Sequence, residues 1–94
     1  MATKKIATEA RKNWEQAEWN LDMQRDQYNH QVNGLAEQEE RAALGLPALW
    51  WTFTQEAVDH AEARLIAAIE LHAAALDAAV EAERAWAANP RARR

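Results

Sequence analysis

Apolar residues spaced seven apart predict a long first helix. One line repeats every seven residues and a companion line follows three residues later: Ala7, Trp14, Leu21, Tyr28, Leu35 and Ala42, then Ala10, Ala17, Gln24, Gln31 and Gln38. A sustained heptad keeps one stripe of a helix against a partner. We expect this helix to run from about residue 3 to 43. A kink or break at Asn33-Gly34 is the alternative, because Gly inside a helix costs about 1 kcal/mol relative to Ala.

A second stretch with the same repeat predicts a second helix from about residue 47 to 88. Two neighbouring lines carry it: Val58, Leu65, His72, Ala79 and Trp86, then Ala61, Ala68, Ala75 and Ala82. Ile66, Ile69, Leu76 and Val80 lie beside these lines. At roughly 100° per residue the apolar positions cover an arc of about 160°. One neighbouring helix covers less than that arc, so we expect a lone hairpin to leave apolar surface exposed.

The turn Leu44-Gly45-Leu46-Pro47 separates the two helices. Gly just past one helix and Pro just inside the next is the pattern that helix ends prefer. Thr52 or Thr54 is an alternative N-cap for the second helix. The fold class is therefore all-α, a long antiparallel helical hairpin over residues 1–90, with a basic tail at 91–94. Folding the chain about Gly45 places His72 near Trp19.

Two helices of this length enclose little interior, and small domains often need a partner to be stable. We expect a homodimer that forms a four-helix bundle. The alternatives are a monomer kinked into three helices, a higher oligomer and a heteromer. The candidate oligomer-interface residues are Trp14, Leu21, Tyr28, Leu35, Leu65, Ile69, His72, Leu76 and Trp86.

An aromatic cluster near the turn is the strongest candidate for binding a partner. Its residues are Leu46, Leu49, Trp50, Trp51 and Phe53, with Leu44 beside them. Three interpretations stay open: a cap on the end of a bundle, a binding knob with Trp anchors, or shallow insertion at a membrane interface. Trp19 and Met23, four residues apart on one helix face, are either a second contact surface or an incidental surface pair.

Charge is distributed unevenly along the chain, whose formal net charge is −4. Residues 1–12 and 81–94 hold eight basic and three acidic side chains, whereas residues 13–80 hold three basic and twelve acidic ones. An acidic middle argues against nucleic acid lying along the hairpin, because phosphate contacts need Lys and Arg. The longest apolar run is ten residues, and a membrane span needs about twenty. We therefore expect a cytoplasmic protein, with secretion as the minor alternative, and the sequence disfavours nucleic acid and membrane as partners.

The sequence contains no recognisable motif for catalysis or for metal binding. There is no Cys, and no Ser-His-Asp pattern or Gly-rich phosphate loop occurs. Glu56 and His60 lie four apart, but His72 is three turns beyond His60, too far to join them in one metal site. His30 and His60 are expected on the surface, while His72 is expected to hydrogen-bond or stack on an aromatic ring. We expect no enzyme activity, no cofactor and no metal.

In size and plan the chain resembles the small secreted helical hairpins of the ESAT type. That family carries a Trp-x-Gly turn, where this chain has Leu44-Gly45-Leu46-Pro47 followed by Trp50-Trp51-Thr52, and the chain contains no Tyr-x-x-x-Asp/Glu signal in its tail. The sequence favours a non-enzymatic interaction protein, a small regulator or inhibitor of the kind phages and mobile elements encode. A self-assembling structural component is the alternative, as is a secreted hairpin of the resembled type.

Overall fold

Two helices make up the structure, a computed structural model that describes residues 3–49 and 51–88. Helix α1 spans Lys4–Ala43 and helix α2 spans Gln55–Ala87, and the described residues include no strand. The prediction of an all-α helical hairpin is confirmed. Its association into a four-helix bundle stays a prediction. Residues 91–94, the predicted basic tail, lie outside the described part of the chain, as does Asn89-Pro90, the predicted stop of the second helix.

Both helices begin at a threonine. The backbone N–H of Ile6 donates to Thr3 Oγ1 over 3.1 Å, and that of Ala57 donates to Thr54 Oγ1 over 3.1 Å. In each case an N-cap hydroxyl pairs with the third helical residue, which satisfies one of the four N–H groups that a helix start leaves open. The alternative start at Thr54 is therefore confirmed, and the start at Pro47 is wrong.

Helix α1 ends in a Schellman motif centred on Gly45. Leu46 N–H donates to the carbonyl of Arg41 over 2.9 Å, and Gly45 N–H donates to that of Ala42 over 3.2 Å. Gly45 has a φ of 70°, the left-handed conformation that glycine adopts without steric cost. Pro47 follows this cap instead of opening α2, which explains why the second helix starts later than predicted.

The chain divides into two compact units. The first combines residues 1–21 with residues 68–94. Its buried side chains are Ala7, Ala17, Leu21, Ala68 and Ala79. Trp14 Nε1 donates to His72 Nε2 over 3.2 Å, and Arg11 lies 3.9 Å from Glu83. These contacts pair the start of α1 with the end of α2, as an antiparallel arrangement requires.

The second unit comprises residues 22–67, with the end of α1, the connecting loop and the start of α2. Helix α1 continues through Asn33-Gly34, so the predicted alternative of a break does not occur. Phe53, Val58 and Ala61 are buried in this unit. Ala42 is exposed although it lies on the predicted stripe.

Little of the apolar content is buried. Among the described residues, three large apolar side chains are buried and ten are exposed. The exposed set includes the residues that flank the core lines of α2: Ile66, Ile69, Leu76 and Val80. This confirms that a single neighbouring helix leaves apolar surface uncovered. Neither described helix has a stretch long and apolar enough to cross a lipid bilayer.

Candidate partner-binding site

The loop of residues 44–54 carries the exposed part of the predicted aromatic cluster. Leu44 is 66% exposed and Trp51 is 44% exposed, and Leu46 is also exposed. Leu49 is half-buried, and Trp50 lies outside the described residues. Leu46, Leu49 and Trp51 are therefore on or near the surface, where a macromolecular partner can reach them.

Phe53 differs from its neighbours because its ring is part of the core. The side chain is 6% exposed and lies on Gly34, where a Cβ would come within 2.6 Å of ring atom Cδ1 and closer still to Cε1 and Cζ. The imidazole of His30 meets the same ring at 5.4 Å between centroids and 70° between planes. The ring therefore has a structural role in this unit, and the predicted partner-binding role of Phe53 stays a prediction.

The backbone of Phe53 is held by the side-chain amide of Gln38. Phe53 N–H donates to Gln38 Oε1, and Gln38 Nε2 donates to the carbonyl of Phe53, each over 2.8 Å. The amide supplies one donor and one acceptor, so it pairs with both polar groups of the residue. This pairing satisfies a loop residue that has no helical partner, and it fixes the loop against α1.

A second contact fixes the first part of the loop, at Pro47. Arg41 Nε donates to the carbonyl of Pro47 over 2.9 Å. Together with the Schellman cap at Gly45, this bond ties residues 45–47 to the last turn of α1. Residues 45–47 and Phe53 are therefore all held by hydrogen bonds to helix α1.

Beside Trp51 is an open cleft of about 380 Å³, which we call the Trp51 cleft. Its lining residues are His30, Asn33, Gly34, Glu37, Leu49, Trp51 and Phe53. The Trp51 and Phe53 rings meet edge to face, with centroids 6.0 Å apart and planes at 68°. The lining of the cleft thus combines aromatic rings with one carboxylate, that of Glu37.

The second predicted contact surface is accessible. Trp19 is 68% exposed, whereas Met23 is half-buried. The predicted oligomer-interface residues fall into two groups. Ile69 and Leu76 are exposed. The others contribute to packing within the chain: Trp14, Leu21, Tyr28, Leu35, Leu65, His72 and Trp86 are buried or half-buried. Their role in an oligomer stays a prediction.

His72 bonds to an aromatic residue, as predicted, but the residue is Trp14 and not Trp19. The ring centroids are 6.5 Å apart. The placement near Trp19 was wrong because it assumed a helix resuming at Pro47. His30 and His60 are exposed, as expected. His60 Nε2 lies 3.8 Å from a carboxylate oxygen of Glu56, and the described residues bring no group of three potential metal ligands together.

Two residues that shape the site were not recognised as such from the sequence. The heptad pattern places Gln38 on a helix stripe, and the helix propensity of glycine makes Gly34 a candidate break. A glycine inside an otherwise regular helix often marks a close approach by another group, and that signal was present at Gly34. No comparable local signal identifies Gln38, because its partner lies fifteen residues away.

Comparison with known protein families, with curated proteins and with solved structures finds no match to this chain.

Proposed function

We propose that the protein is a non-enzymatic helical interaction module, a small regulator or inhibitor that binds a macromolecular partner through the loop of residues 44–54. The observation that carries this proposal is the exposure of Leu44, Leu46 and Trp51 within eight residues of one another. Tryptophan is enriched among the residues that dominate binding energy at protein interfaces. Large apolar side chains gathered on a loop are more typical of an interface than of inert surface.

The way the loop is anchored supports the same conclusion. Arg41 bonds to Pro47 in the first half of the loop, and Gln38 bonds to Phe53 near its end. The buried ring of Phe53 holds the end of the loop in the core. Ordering an interfacial side chain or loop on binding typically costs about 0.5–1.5 kcal/mol per immobilised group. A loop ordered in advance avoids part of that cost, so its apolar side chains contribute more of their burial energy to affinity.

Charge indicates the chemistry of the partner. The unit that carries the loop, residues 22–67, has eight acidic and three basic side chains. Complementary potentials steer association and disfavour wrong partners. We therefore propose a partner that offers a basic surface around an apolar side chain, and action in the cytoplasm; secretion, as in the hairpins of the ESAT type, is the alternative.

The experiment compares affinity capture by wild type and by a Trp51→Ala variant in the cells that produce the protein. The matched control is Trp19→Ala, which removes an exposed tryptophan from helix α1 instead of the loop. Proteins captured by wild type and by the control, but not by Trp51→Ala, are then purified and titrated by calorimetry. Loss of a Trp anchor worth about 2 kcal/mol weakens binding roughly 30-fold.

Circular dichroism and urea unfolding check that the Trp51→Ala variant keeps its fold. A second variant, Leu44→Ser/Leu46→Ser, alters the loop without removing the ring contact between Trp51 and Phe53. If both folded variants bind every captured protein as tightly as wild type does, the loop is not the binding site and the proposal fails.

Self-assembly is a second candidate function, favoured by a separate observation. Ten large apolar side chains are exposed among the described residues against three that are buried. A chain with so little buried apolar surface gains stability from any association that covers more of it. In this alternative the oligomer is itself the functional form.

A further inference from the structure

The Trp51 cleft receives side chains from a helix and from the loop, all within the second unit. Helix α1 contributes His30, Asn33 and Glu37, whose spacings of three and four residues place them along one face of the helix. The loop contributes the aromatic rings of Trp51 and Phe53. Polar groups of a helix and aromatic rings of a loop therefore line the same cleft.

The aromatic rings of the cleft meet at steep angles. The planes of Trp51 and Phe53 lie at 68° to each other, and those of His30 and Phe53 at 70°. Rings at such angles form a corner, in which a small group can contact more than one ring. The face of an aromatic ring carries negative partial charge and attracts a cation within about 6 Å of the ring centroid. The corner therefore favours a positively charged group.

Charge in and around the cleft favours the same kind of group. The carboxylate of Glu37 belongs to the lining, which includes neither Lys nor Arg. Within the described part of the chain, Glu37 takes part in no ion pair. Arg41, one turn later on α1, donates through its Nε to the carbonyl of Pro47. The second unit has eight acidic and three basic side chains, a net charge of −5, so its overall field also attracts a cation.

Other kinds of occupant fit this cleft less well. A purely apolar side chain would cover the Glu37 carboxylate without pairing it, and removing an unpaired charge from water is costly. An anionic group would be repelled by the same carboxylate. A guanidinium group stacks on aromatic rings and pairs with carboxylates through two N–H groups, whereas the ammonium group of lysine is more strongly hydrated. The cleft volume of about 380 Å³ is near the low end of the range for ligand pockets, about 300–1,000 Å³, which suits a single side chain.

We infer that the Trp51 cleft is a binding site for the guanidinium group of an arginine side chain. The Glu37 carboxylate accepts hydrogen bonds from the guanidinium N–H groups, and the Trp51 ring stacks against the guanidinium plane. The side-chain oxygen of Asn33 is a further acceptor in the lining. That this arginine belongs to the macromolecular partner of the loop rests on the proposed function.

Short capped peptides test the cleft in the absence of the partner. The probe is acetylated and amidated Gly-Arg-Gly, and the controls are the same peptide with citrulline or leucine in place of arginine. Citrulline has nearly the shape of arginine but no charge. Each peptide is titrated into isotope-labelled protein and followed by nuclear magnetic resonance. The indole N–H signal of Trp51, assigned by its loss in Trp51→Phe, reports binding at the cleft.

We expect saturable binding of the arginine peptide with a dissociation constant of about 1–10 mM. The citrulline and leucine peptides should bind about fivefold more weakly or less, because they lack the charge that pairs with Glu37. Glu37→Gln should weaken binding of the arginine peptide by about fivefold for the same reason.

Glu39→Gln is the matched control for this variant. Glu39 is exposed, lies two residues further along the same helix and points about 200° around it from Glu37. Both variants change the charge of the unit by the same amount, so Glu39→Gln should stay within about twofold of wild type. Circular dichroism checks that both variants remain helical.

Three results would overturn the inference: no saturable shift with the arginine peptide up to about 50 mM, equal binding of the arginine and citrulline peptides, or equal effects of Glu37→Gln and Glu39→Gln. Partner capture with Trp51→Ala has a separate readout. A captured protein that depends on Trp51, without peptide binding, would keep the loop as the binding site and exclude arginine as its ligand. Peptide binding without any such captured protein would keep the arginine site and count against the proposed function.

Discussion

The side-chain amide of Gln38 pairs with the backbone of Phe53 through two hydrogen bonds of 2.8 Å each. The amide of one helical residue thus pairs with both the N–H and the C=O of a loop residue, as a neighbouring strand does in a β-sheet. The pairing holds Phe53 where its ring covers Gly34. This pairing therefore connects helix α1, the loop and the core, and the positions of the exposed loop side chains depend on it.

Replacing Gln38 by Leu is expected to destabilise the protein by about 1–3 kcal/mol, because two part-buried backbone groups of Phe53 lose their partners. Urea unfolding measures the change. Hydrogen exchange at the Phe53 amide should accelerate more than exchange in the middle of either helix, since the bond that protects it is gone.

Gln27→Leu is the control for this change. Gln27 is an exposed residue of the same helix, and the same substitution there should change stability by less than about 0.5 kcal/mol. If Gln38→Leu unfolds at the same urea concentration as the control, the paired hydrogen bonds contribute nothing to stability.

Replacing Gly34 by Ala is expected to lower stability, although alanine is the better helix former by about 1 kcal/mol. The added methyl group would overlap the ring of Phe53, and overpacking a filled site costs about 1–3 kcal/mol. Thermal and urea unfolding should both show a net loss on the order of 1 kcal/mol. The sign of the change is the result that matters.

A double-mutant cycle separates packing from helix propensity at this site. With the ring removed by Phe53→Ala, the further change Gly34→Ala should become stabilising by about 1 kcal/mol. Gly45→Ala is the contrasting case, because nothing lies within 4 Å of its added Cβ and its φ of 70° alone makes the change unfavourable. Its penalty of about 1–2 kcal/mol should be the same with or without the Phe53 ring. An unchanged sign for Gly34→Ala in the Phe53→Ala background would contradict this account.

Thr54→Ala should destabilise the protein by about 1 kcal/mol, since Thr54 Oγ1 accepts the hydrogen bond that caps helix α2. Thr52→Ala makes the same chemical change two residues earlier, in the loop, and is expected to stay within about 0.5 kcal/mol of wild type. Urea unfolding of the pair therefore tests where the second helix begins. Equal effects of the two changes would argue against a cap at Thr54.

The helices themselves could be predicted from the sequence, because the information that specifies them is local and repeated. The predicted heptad lines of α2 are buried or half-buried at every position from Val58 to Trp86. The predicted end of α1 at residue 43 is also confirmed, since Gly45 marks that end in the sequence. These features depend on propensity and on spacing within a few turns.

The connection between the helices could not be predicted in the same way. Proline is compatible with the first position of a helix and equally with the residues that follow a C-cap, so Pro47 did not decide the start of α2. The decision comes from contacts distant in sequence, between Phe53 and residues 34 and 38. An extended chain advances about 3.3 Å per residue against 1.5 Å for a helix, so a loop running back along α1 shifts the register of everything that follows. This is why His72 meets Trp14, five residues before the expected Trp19.

Most of the core is built from alanine: within residues 3–49 and 51–88, five of the eight buried apolar residues are Ala7, Ala17, Ala61, Ala68 and Ala79. Truncation to glycine removes only one methyl group, but it costs about 1 kcal/mol of helix propensity at each position. A larger side chain must displace packed neighbours, so the five positions are constrained from both sides and alanine is the residue that satisfies both limits.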